Sequence, residues 1–111
     1  MLPAKATIVA GNYRSAGFDM EQKAYVVELQ DSDQADALHL KLEAGPESPL
    51  VNPAIVVKNW PVSANATVEV AGRTLNPAEF KMGIEEELNG NNLVVFLKLE
   101  SSEPTEIRIK P

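Results

Sequence analysis

The 111-residue chain has no cysteine. That one absence removes disulfides, zinc–thiolate sites and cysteine nucleophiles together. Histidine occurs once, at His39, and there are only six aromatic residues: Tyr13, Phe18, Tyr25, Trp60, Phe80 and Phe96. Basic residues are also scarce, with 10 Lys and Arg against 16 Asp and Glu and a net charge of −6. Neither half of the chain carries a basic patch, so nucleic acid and anionic membrane surfaces are unfavourable partners. No apolar run approaches the roughly 18 residues that cross a bilayer as a helix, so membrane insertion is not expected. No signal peptide is expected either, because Met1-Leu2-Pro3-Ala4-Lys5 leads straight into a strand-like run. Gly-rich loops opening a helix are missing, and with them phosphate cradles of the nucleotide-binding kind. No cofactor is implied.

What the chain does have is period-two alternation, which marks half-buried strands. Leu38, Leu40 and Leu42 alternate with His39, Lys41 and Glu43. Val68 and Val70 do the same, as do Ile107 and Ile109. Three shorter runs are almost wholly apolar: Tyr25 to Leu29, Ile55 to Val57, and Leu93 to Leu97. Their β-branched and aromatic content favours central strands. Thr7 to Ala10 reads as an opening strand and Phe80 to Ile84 as a weaker one. Eight prolines and several turn pairs separate the runs. Ala71-Gly72-Arg73-Thr74 predicts a tight hairpin, Asn76-Pro77 a turn, and Asn89-Gly90-Asn91-Asn92 a hairpin made by residues that tolerate positive φ. Only Ser32 to Ala37 and Pro77 to Phe80 leave room for a helical turn. Crossover helices for a parallel α/β fold are lacking. The expectation is a single all-β domain over residues 1–111, an antiparallel β-sandwich of immunoglobulin-like architecture.

Candidate sites follow from residue type. His39 stands on the polar face of its strand, without a nucleophile and orienting acid to complete a triad, so it reads as a solvated side chain and the chain as no enzyme. Glu85-Glu86-Glu87 reads as an acidic strand edge that blunts edge-to-edge pairing. Asp31, Asp33 and Asp36 share one loop and offer oxygen ligands to calcium. The EF-hand pattern fails there, since Ala35 takes a ligand position and Asp36 the glycine position. The loop therefore reads as a solvated acidic surface. Asn65-Ala66-Thr67 has the form of a glycosylation sequon, a pattern common by chance. A polysaccharide would need exposed aromatic rings. Trp60, at a strand end before Pro61, with Tyr13 and Phe18 around a Gly-containing loop, could supply them on one rim. The preferred reading, given how much area an indole buries, makes Trp60 the plug of the sandwich core. For a neighbouring domain or protein partner, the candidates are Val94, Phe96 and Val56. They point away from Leu93, Val95 and Leu97, and only one face of a sandwich sheet meets the core.

The second half carries a resemblance as well. Pro49 to Trp60, Val68 to Leu75, Phe80 to Gly83 and the Leu93 to Leu97 strand together resemble the C-terminal β-sandwich segments that follow the main domain in large secreted bacterial proteins, some of them carbohydrate-active. The similarity covers about residues 48–111 and is one of texture. It implies a non-catalytic accessory or interaction module, with an extracellular or periplasmic location for the larger chain. A carbohydrate-binding module is the second possibility and a small enzyme the third. No catalytic residue is carried over by the resemblance.

Overall fold

The computed structural model describes residues 4–21, 23–30, 37–60, 66–87 and 90–110. They form strands joined by turns, with no helix among them. The first sheet holds β1 (Lys5–Ala10), β4 (Leu38–Glu43), β12 (Thr105–Lys110), β7 (Thr67–Val70) and β8 (Arg73–Thr74), in the order β1-β4-β12-β7-β8. The second holds β2 (Tyr13–Asp19), β3 (Ala24–Leu29), β6 (Ala54–Lys58), β10 (Gly90–Leu97) and β9 (Phe80–Glu87), in the order β2-β3-β6-β10-β9. β5 (Leu50–Val51) and β11 (Glu100–Ser101) make a small strap. Neighbouring strands run antiparallel except β3 and β6, which run parallel. The last strand, β12, lies inside the first sheet between β4 and β7. A Cα radius of gyration of 13.0 Å matches the ~13 Å of a compact chain of about this length.

Alternation explains the core. Leu38, Leu40 and Leu42 on β4, Ile107 and Ile109 on β12, and Val68 on β7 turn inward and are fully buried. Facing them are Val27 and Leu29, Ile55 and Val57, and Leu93, Val95 and Leu97. Each such side chain contributes about 1.5–3 kcal/mol when removed from water. The polar alternates of the first sheet pair with one another on its outer face. His39 Nε2 lies 3.0 Å from Glu106 Oε1, and Lys110 Nζ lies 2.6 Å from Glu69 Oε2.

Turns follow their chemistry. Ala71 and Gly72, at φ of 52° and 80°, close the β7–β8 hairpin with Val70 paired to Arg73. Two positive φ values in a two-residue loop define a type I′ turn, which matches strand twist. At Asn76-Pro77, the Asn76 side chain accepts the Ala78 amide at 3.0 Å, and no helical turn forms there. Asn52 takes φ of 46°. It donates its amide to the Leu99 carbonyl at 2.7 Å and accepts the Leu99 amide on Oδ1 at 3.2 Å, which fixes the strap. Asp31 to Asp36, which include all three carboxylates of the acidic loop and most of the Ser32–Ala37 stretch, lie outside the described residues, as do Asn65 of the sequon and Asn89 of the expected hairpin.

Two strands depart from expectation. β2 occupies the stretch that reads as a loop, because Arg14-Ser15-Ala16-Gly17 is poor in strand formers. β9 runs eight residues, through Glu87, rather than stopping at Ile84. Its ladder with β10 is unbroken from Leu97↔Phe80 to Gly90↔Glu87, which carries the acidic residues along.

Candidate docking face

The second sheet has an outer face unlike that of the first. Its outward residues are Ala24, Val26 and Glu28 on β3, and Ala54, Val56 and Lys58 on β6. β10 adds Asn92, Val94 and Phe96, and β9 adds Lys81, Gly83 and Glu85. Register lines them up in rows across the strands. One row reads Val26, Val56, Val94, Gly83. The next reads Ala24, Ala54, Phe96, Lys81. The third, Glu28, Lys58, Asn92, Glu85, is polar and borders the other two.

Ala24, Val26, Ala54 and Val56 form an apolar cluster separate from the main core, with Val94 packed against it. Short side chains on a flat pleat shield one another, so Val56 is 3% exposed. The expectation of an exposed Val56 is thus corrected: it floors the patch and Val94 is half-buried. Phe96 is different. It stands opposite Ala54 on one side and Lys81 on the other, and 54% of it meets solvent.

Polar groups rim this floor. Arg14 reaches Glu28 at 3.4 Å. The buried Asn92 amide approaches Glu85 Oε1 at 3.5 Å. An open concavity of about 330 Å³ lies between Ala16, Asp19, Val26, Glu28 and Lys58. It has no aromatic lining.

The three aromatic residues considered for a sugar platform do not assemble one, and Trp60 takes the core position preferred for it. Trp60 and Tyr13 are core residues, 2% and 6% exposed. The Trp60 amide donates to the Asn91 carbonyl at 2.9 Å, which draws it in from the strand end. Tyr13 and Phe18 would sit on opposite faces of a regular strand, being five residues apart. The ladder of β2 shifts between Ser15 and Gly17, and this bulge turns both rings inward. Phe18 then packs edge-on against Tyr25, with ring centroids 5.0 Å apart at 72°.

His39 sits among polar side chains on the other sheet, opposite Arg108 in register and hydrogen-bonded to Glu106. No cluster of three or more His, Asp or Glu suited to a metal occurs among the described residues. No helix among them is long and apolar enough to cross a membrane. Compared with protein-family models, with curated proteins and with solved structures, the chain finds no match.

Proposed function

We propose that the chain is a non-catalytic accessory module of a larger secreted bacterial protein, working outside the cell or in the periplasm. Its task is to dock the outer face of its second sheet onto a neighbouring domain or protein. The observation that carries this reading is Phe96, 54% exposed beside an apolar floor of Ala24, Val26, Ala54, Val56 and Val94. The outer face of the first sheet provides the contrast, since hydrogen-bonded and ion-paired polar side chains line it. A rigid aromatic ring on an apolar floor with a polar rim has the anatomy of an interface anchor. The resemblance of residues 48–111 to accessory segments supports the same assignment. Burying the exposed half of Phe96 against a partner contributes roughly half of the ~1.5–3 kcal/mol of a fully buried ring.

An apolar fluorescent dye such as bis-ANS tests the face directly. The folded domain should bind it with enhanced, blue-shifted emission. Phe96→Ser should remove most of that signal while leaving the melting temperature within a few degrees, because the ring contributes little to the core. A dye signal that is absent, or that survives Phe96→Ser unchanged, contradicts the proposal.

A further inference from the structure

β9 is an edge strand eight residues long, and no described strand pairs with its far side. Edges of this length are templates for pairing and are managed by charge or covered. Its inner-side residues Met82 and Ile84 are 40% and 44% exposed. They overhang because β8, the edge of the facing sheet on that side, is only two residues long. Lys81, exposed on the other side of the strand, has no ion-pair partner among the described residues.

The direction of the free backbone groups follows from the ladder. The Lys98 amide donates to the Glu79 carbonyl at 3.0 Å, in register with Leu97↔Phe80. Hydrogen-bonded pairs alternate along an antiparallel ladder. Residues 81, 83 and 85 therefore bond to β10, while Phe80, Met82, Ile84 and Glu86 aim their N–H and C=O groups outward.

We infer that this edge pairs with β9 of a second copy of the chain, antiparallel and two-fold symmetric about Gly83. In that register the outward-bonding residues meet one another, Met82 with Ile84 of the other copy, twice. Both overhanging apolar side chains are covered. On the outer face, Lys81 meets Glu85 of the other copy, also twice, in non-hydrogen-bonded pairs where side chains approach closest. Gly83 meets Gly83 with no side chain between. Centring the two-fold on Met82 or on Ile84 instead takes Lys81 away from Glu85 of the other copy and Met82 away from Ile84. The chosen register also sets Phe80 opposite Glu86, and Glu87 opposite a Glu79 that Arg73 holds. The two Lys81–Glu85 pairs and the two Met82–Ile84 pairs favour this alignment. The resulting ten-stranded sheet carries both outer faces on the same side, joined through the Gly83 row.

This inference rests on the strand edge and stands apart from the docking reading. Sedimentation equilibrium of the wild-type domain should show a monomer–dimer equilibrium. Lys81→Glu and Glu85→Lys should each weaken it about tenfold or more, since each variant sets like charges opposite one another twice per dimer. The double exchange Lys81→Glu/Glu85→Lys should restore wild-type association. Met82→Pro removes an outward amide without touching the β10 ladder, so it should give a folded monomer. A wild-type chain that stays monomeric up to its solubility limit overturns the inference. So does failure of the double exchange to restore the dimer, or a Met82→Pro chain that still dimerises.

Discussion

Individual residues carry strain or tight fit at a few turns. Gly11, between β1 and β2, takes φ of 110°, and a Cβ there would lie 2.6 Å from the Ala37 carbonyl oxygen. Both the backbone conformation and the space are closed to other residues. Gly11→Ala should therefore cost about 2 kcal/mol or more of stability, measured by urea unfolding. A loss below a few tenths would show that the turn relaxes freely. The candidate residues show how far sequence reasoning reaches at this scale. The inward turn of Trp60 was not decidable from its neighbours, because Asn59-Trp60-Pro61 reads the same at a core edge or on a rim. The parity of Tyr13 and Phe18 was hidden by a bulge that only pairing with β3 reveals. Val94 and Phe96 face outward by plain alternation from Leu93, Val95 and Leu97. The shielding of Val56 depends on small residues in two other strands, which no local pattern encodes.

Among elements, strands with strict alternation or dense β-branching were readable from the chain: β3, β4, β6, β7, β10 and β12 all enclose the expected runs. β2 escaped because edge strands need fewer apolar residues than central ones. β9 outran its apolar stretch because the hairpin with β10 imposes pairing on Glu85 to Glu87. The corner between β8 and β9 is held by Arg73, whose guanidinium grips the Glu79 carboxylate at 2.9 and 2.6 Å. That hydrogen-bonded contact, helped by the Asn76 amide, lowers the Glu79 pKa from 4.5 to about 2. The folded value is the lower one, so the carboxylate stabilises the fold above the unfolded pKa. That contribution fades as pH falls from 4.5 towards 2. The melting-temperature advantage of wild type over Arg73→Gln should be present at neutral pH and vanish near pH 2. A pH-independent difference would assign the effect of Arg73 to packing alone.

At the scale of the molecule, the two sheets share a core but differ outside it. Alternation fixes which face of each strand turns inward. The composition of the outward alternates then makes one surface ionic and the other apolar at its centre. The layered all-β architecture was legible because period-two patterning and turn spacing are local. Strand order was not, since the insertion of β12 between β4 and β7 and the parallel pairing of β3 with β6 join distant segments. The central claim is that the face around Phe96 is covered in the working protein. A photo-reactive phenylalanine analogue tests it, placed at Phe96 or, as a control, at the exposed Arg108 of the first sheet, in the protein as its organism makes it. Mass spectrometry would then map the adducts. The docking account predicts a discrete crosslink from position 96, and none from position 108, to peptide outside these 111 residues. A position 96 that crosslinks to nothing, or to the same background as position 108, would contradict it.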